Sequence, residues 1–216
     1  MKKLLVFTMA VCLAITAVAQ EKFTEGVIIS KTTMSSDNEQ IGSQLAAIGD
    51  MMSTLYIKGK KTRAEMSSPM TGDIITVSDL EAKEMLMVMG MQKMYITQSL
   101  EVSEEMLEKI DLKEGDETKE ILGYECKQYI ISVDNEGVVV EMELFVTDKI
   151  QPVVTQQTMM LGDKIDGLVM LMTMKMNQMG SEMVITSEVT ELKREPVKDS
   201  LFSLTPPEGY TKMGGM

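Results

Sequence analysis

Apolar and polar residues alternate along much of this chain with a period of two. Val138, Val140, Met142, Leu144 and Val146 fall on one side of a run whose other side carries Glu141 and Glu143. Met170, Met172, Met174 and Met176 share a side against Thr173, Lys175 and Asn177. Met183, Ile185 and Val189 do the same against Thr186, Glu188 and Thr190. Successive side chains of a strand point to opposite faces, so the pattern predicts strands with one buried and one wet face. By the same reading, further strands are predicted at 23–32, 54–58, 62–66, 73–77, 83–89, 92–97 and 124–133. Glycine-bearing breaks at Gly59-Lys60, Gly90-Met91, Asp134 to Gly137 and Met179-Gly180 separate neighbouring runs, as hairpin turns require. Consecutive hairpins imply an antiparallel meander within a single domain.

Two segments change period. Ile41, Leu45, Ile48 and Met52 repeat at helical spacing, predicting a helix over 39–52, with Asp37 and Gln40 in the arrangement of a capping box. A second short helix is predicted over 104–110, capped by Ser103, with Val102 and Leu107 as its hydrophobic staple. Both are amphipathic and suited to lie across a sheet face. The acidic stretch 111–120 lacks the ordered ligand spacing of a calcium loop and reads as a solvated connection.

The chain begins with Met1-Lys2-Lys3, an apolar run from Leu4 to Ala14, and the small-x-small triplet Ala17-Val18-Ala19. This is the layout of a secretory signal peptide with cleavage after Ala19, and it is too short to span a bilayer. The expected organisation is a leader at 1–19, one domain at 20–211 and a flexible tail at 212–216. Loss of Lys2 and Lys3 with the leader takes the net charge from −12 to −14. Such a polyanion is repelled by nucleic acid. Cys12 would also leave, so Cys126 would remain without a partner and is expected to be a buried, inert thiol.

The chain has no histidine, which removes Ser–His and Cys–His nucleophilic systems and His-based zinc hydrolysis. It has no phosphate-binding glycine loop, dinucleotide fingerprint or paired-cysteine metal motif, and no spacing singles out a pair of catalytic carboxylates. A non-enzyme without a cofactor is expected.

Methionine accounts for 24 of 216 residues. Leucine would bury similar area, but methionine is flexible and polarizable and adapts to varied apolar partners. Three readings compete: core filling, an adaptable apolar groove, and copper(I) coordination by thioethers. The proposed groove lining is Met85, Met87 and Met89 with Met170, Met172, Met174 and Met176.

Three stretches carry a family resemblance. They are Ile74 to Met85 with Lys93-Met94-Tyr95-Ile96, then Ile121-Leu122-Gly123-Tyr124-Glu125-Cys126-Lys127-Gln128-Tyr129 with Glu143 to Thr147, and finally Leu201-Phe202-Ser203-Leu204-Thr205-Pro206-Pro207-Glu208-Gly209-Tyr210. Together they resemble exported bacterial proteins grouped as a domain-of-unknown-function family, number 4412. Phe145 stands where the family pattern would have tryptophan. That family is similar in layout to periplasmic lipoprotein-carrier and lipoprotein-receptor proteins, whose curved antiparallel sheet wraps helices as an open half-barrel. The resemblance implies a mostly β half-barrel with both helices against its concave side. It would be a monomer in the periplasm or at the outer membrane, binding a lipid, acyl chain or lipidated partner. The alternative is a structural or stress-response envelope protein whose methionines form core or absorb oxidant.

Overall fold

The computed structural model describes residues 22–68, 72–108, 110–135, 138–153, 158–161, 164–178 and 180–213. The leader expected at 1–19 lies outside them. The strands are β1 (Glu25–Ser36), β2 (Met51–Lys58), β3 (Lys61–Ser68), β4 (Gly72–Asp79), β5 (Glu84–Met89) and β6 (Met94–Ser99). They continue with β7 (Ile110–Ile121), β8 (Tyr124–Asn135), β9 (Val138–Thr147), β10 (Leu168–Gln178), β11 (Ser181–Lys193) and β12 (Thr211–Lys212). All twelve belong to one open, curved sheet in the order β12-β6-β5-β4-β3-β2-β1-β11-β10-β9-β8-β7.

The order resolves into two meanders, β1 to β6 and β7 to β11, joined where β1 pairs antiparallel with β11. β1 is long enough to pair with β2 over Glu25 to Thr32 while holding β11 over Val27 to Ser36. Gly26 sits at this junction because a β-carbon there would strike the Lys193 carbonyl and the Phe23 ring. Phe23 itself is fully buried, bridging to Ile150, with its N–H donating to the Lys149 carbonyl at 2.9 Å.

The predicted strands are present, but the helices are shorter than expected. α1 covers Glu39–Ile48 and ends at Gly49, whose positive φ of 75° closes the last turn through a bond to the Leu45 carbonyl. Met51 and Met52 then pair with Thr32 and Lys31 on β1, so Met52 belongs to a strand and not to the helical stripe. The cap also differs. Asn38 Oδ1 accepts from the N–H groups of Gln40 and Ile41 at 3.0 and 3.2 Å, whereas Asp37 accepts from the Glu182 N–H at 2.8 Å. α1 buries none of its residues and packs on β1. α2 is only Glu104–Glu108, with Ile110 already paired to Val133 in β7.

The acidic stretch expected to be a loop is most of β7. It lies at the sheet edge, paired only with β8, so its many charged side chains remain in water while its backbone completes a ladder. Charge on an edge strand also discourages pairing with other chains. Between Glu114 and Thr118 the register slips. Gln128 fills the bulge: its Oε1 accepts from the Glu117 N–H, its Nε2 donates to Glu143 at 2.6 Å, and Gly115 opposite leaves no room for a β-carbon.

At the other edge, Thr211 and Lys212 pair in parallel with Met94 and Tyr95, and the Met213 N–H donates to the Tyr95 carbonyl at 2.8 Å. A free tail beginning at Lys212 is therefore not what forms; 214–216 lie outside the described residues. The preceding segment straps the outer face of the first meander. Val197, Leu201, Phe202 and Leu204 pack on Val27, Tyr56, Ile75 and Val77. Lys58 Nζ donates to the Val197 carbonyl at 2.9 Å and Arg63 to that of Leu201 at 3.2 Å.

Candidate ligand cavity

Direct cross-strand partners share a face, so the register identifies every residue on the inner side of the sheet. One row runs Met94, Met89, Ile74, Met66, Ser53, Ser30 and Val189; the next runs Ile96, Met87, Thr76, Ala64, Leu55 and Ile28. Past the junction, Thr32 leads through Ser187, Met172 and Leu144 to Tyr129, and Met174 through Met142 to Ile131. Both predicted methionine groups therefore lie on one face of one sheet. They are six strand spacings apart, roughly 29 Å along the sheet at about 4.8 Å each.

Between them is a cavity of about 150 Å³. Its floor is Ile28, Ser30 and Thr32 of β1, Ser53 and Leu55 of β2, Thr62, Ala64 and Met66 of β3, and Ile74, Thr76 and Ser78 of β4. Leu168, Val169, Met170 and Met172 of β10, Ser187 and Val189 of β11, and Val153 and Thr158 close its other side. Among the described residues, no charged side chain lines it. The space exists because Ser30, Thr32, Ser53, Thr62, Ala64, Thr76 and Ser78, seven of the eleven side chains entering from β1 to β4, are small. In the second meander the same face carries Ile131, Met142, Leu144 and Val146, which pack with Leu161 into a closed cluster.

The seven proposed methionines separate on this geometry. Met170 and Met172 are buried and line the cavity. Met85 is also buried, but it faces a different surface depression, shared with Lys83, Thr97 and Leu204. Met87, Met89, Met174 and Met176 are half-buried on the same face and line neither space. The hydroxyl residues of the floor did not enter the sequence-based lining. Their signal was available: Ser30 and Thr32, Thr62 and Thr76 occupy the inward parity of predicted strands, where apolar residues are expected.

The hydroxyls are unevenly partnered. Thr62 and Ser78 bond to each other at 2.6 Å, and Thr32 donates to Ser187 at 3.1 Å. Among the described residues, those of Ser30, Ser53 and Thr76 have no side-chain partner. Another, larger depression of about 760 Å³ lies where Leu80, Leu100, Val102, Leu107, Pro152, Met159 and Ile165 meet, with Lys83 and Glu101 paired at 2.8 Å on its rim. That hydrogen bond raises the Lys83 pKa and lowers that of Glu101.

Cys126 is fully buried, and burial pushes its thiol up to about 11. Its Sγ donates to the Tyr124 carbonyl at 3.4 Å. Burial and a raised pKa both disfavour the reactive thiolate. Phe145, at the position where tryptophan was expected, is also fully buried, with Lys119 Nζ 3.9 Å from its ring centre. Among the described residues, no three His, Cys, Asp or Glu side chains gather as a metal site, and no helix is long and apolar enough to cross a membrane.

No curated protein matches the chain in sequence. Among solved structures, PNGF-II aligns at 17% identity and a TM-score of 0.47, over 87% of this chain and 31% of PNGF-II. The chain thus spans about a third of that protein. The lipoprotein LppX of Mycobacterium tuberculosis aligns at 7% identity and 0.32, over 81% of this chain and 89% of its own. A domain described as an outer membrane lipoprotein-sorting protein, from Vibrio parahaemolyticus, aligns at 13% and 0.36, over 85% and 92%. All three scores fall below 0.5, where a shared strand layout says nothing of ligand or activity. The profile of the family described as a domain of unknown function, DUF4412, matches residues 40–210, and the chain therefore belongs to that family.

Proposed function

We propose that this protein is a non-catalytic binder of an apolar ligand, such as an acyl chain or a lipidated partner, working in the bacterial envelope. The observation that carries this reading is the uncharged cavity at the centre of the inner sheet face, flanked by pliable methionines. Its volume of about 150 Å³ decides how much of a ligand enters. Engineered apolar cavities of about this size hold benzene, and sites for whole small molecules occupy roughly 300–1,000 Å³. One short apolar segment fits, with the remainder of a longer ligand lying along the open face toward Met174 and Met176.

The sheet acts as a half-barrel whose inner face is the working surface. Of the two short helices, α1 packs on β1 without burying a residue, and α2 contacts β7 and the turn at Met159–Leu161. Export by the leader would place the protein in the periplasm or at the outer membrane, as a monomer. An oxidant sink fits less well, since Met52 and Met91, at 48% and 61% exposure, are the strongly exposed methionines among the described residues. The test is native mass spectrometry of protein isolated from the periplasm of an expressing bacterium, followed by organic extraction. A co-purifying acyl species is expected. A clean apo mass, with no uptake of added acyl compounds, overturns the reading.

A further inference from the structure

We infer that the cavity selects an uncharged, carbonyl-bearing acyl group, an ester or amide, over both a plain hydrocarbon and a free carboxylate. The inference rests on the proposed ligand-binding reading and deepens it. Serine buries little apolar area and carries a hydroxyl that is costly to desolvate without a partner, so a purely hydrophobic pocket would not place it at inward positions of adjacent central strands. Here Ser30 and Ser53 are direct cross-strand partners on β1 and β2, and Thr76 stands two strands further along. All three are half-buried, line the cavity, and have no side-chain partner among the described residues. A hydroxyl donates one proton, and a carbonyl oxygen accepts up to two, so these groups suit an ester or amide carbonyl.

The neighbouring hydroxyls behave differently. Thr62 with Ser78 and Thr32 with Ser187 already satisfy one another, which leaves the unpaired three as the polar patch a ligand would meet. Charge decides the rest. A carboxylate moved from water into this cavity would find no lysine or arginine among the described lining residues, and the whole protein carries excess negative charge. A hydrocarbon enters without that cost but leaves three half-desolvated hydroxyls without a partner.

The experiment measures binding of methyl octanoate, octanoate and nonane at pH 7 by calorimetry or ligand-observed NMR. Wild-type protein is compared with the triple variant Ser30→Ala, Ser53→Ala, Thr76→Val. The expected order on wild type is ester tightest, with an advantage over nonane of about tenfold and a larger one over octanoate. The triple variant should lose the ester advantage and bind nonane at least as well as wild type does. Equal binding of ester and nonane to wild type, or tighter binding of octanoate, overturns the inference while leaving the apolar-ligand reading intact. If no probe binds wild type at all, that underlying reading fails and takes this one with it. The wild-type comparison needs no variant, so a misfolded triple variant does not blunt the test.

Discussion

The two meanders share one inner face and use it differently. From β8 to β10 the inward residues are large, and Ile131, Met142, Leu144 and Met172 are at most 6% exposed. With Val146 and Leu161 they close into a packed cluster. From β1 to β4 the inward set includes Ser30, Ser53, Ala64 and Thr76, whose small volumes leave a cavity in the same plane. Interiors pack densely by default, so a gap at the centre of a sheet needs small residues on several adjacent strands at once. On the proposed ligand-binding reading, the contrast would place stability mainly in the second meander and the ligand mainly over the first, against β10 and β11.

The largest effects should come from the packed half. Leu144→Ala should cost about 2–5 kcal/mol of unfolding free energy, because the deleted methyl groups leave a void that neighbours fill incompletely. Urea titration reads this directly. A similar loss from Ser53→Ala would break the comparison.

The Cys126 thiol gives the packed half a pH signature. Its proton is held up to about 11 in the folded state, whereas an unfolded thiol releases it near 8.5. Below the unfolded value the contribution is complete. As pH rises through this window the unfolded chain ionises first, so stability falls, by up to about 3 kcal/mol. Denaturant midpoints measured from pH 8 to pH 11 should show the decline, and Cys126→Ala should flatten that slope. At pH 8, maleimide should label the thiol only after denaturant is added.

Filling the cavity sharpens the comparison from the other side. Ala64→Leu places three added carbons in existing space and should change stability by less than about 1.5 kcal/mol while removing ligand uptake. Loss of folding would mean that the space is not there to be filled. The smallest effect is expected at the margin. Asn38→Ala removes the α1 cap, worth about 1 kcal/mol to the helix alone. Hydrogen exchange at Leu45 should quicken with little change in the global midpoint, since α1 buries no residue.

Much of this architecture is legible in the chain because period-two alternation survives wherever one face is wet. It identifies β9, β10 and β11 from their methionine and valine positions. It fails at β7, where an edge strand keeps water against so many of its side chains that Asp111 to Glu120 carries no burial signal. The Leu122-Gly123 turn that leads from β7 to β8 adds to the difficulty, because Leu122 adopts a positive φ of 52° that side chains other than asparagine and glycine seldom take. Helical periodicity overran its end at Gly49 because Met52 happens to extend the stripe, and only pairing with Lys31 decides the matter.

The cavity was half legible. Methionine abundance points to the inner face, and Met170 and Met172 do line the space. What sets its position, however, is the alignment of small residues from β1, β2, β3 and β4, and cross-strand register is not written in any single strand.

The most direct test is methionine methyl NMR on protein labelled at its methionine ε-carbons, recorded with and without methyl octanoate. Shifts should concentrate at Met66, Met170 and Met172, which line the cavity, with Met91 and Met142 unmoved. An unchanged spectrum at saturating ester, or shifts led by Met91 on the exposed β5–β6 turn, would contradict it.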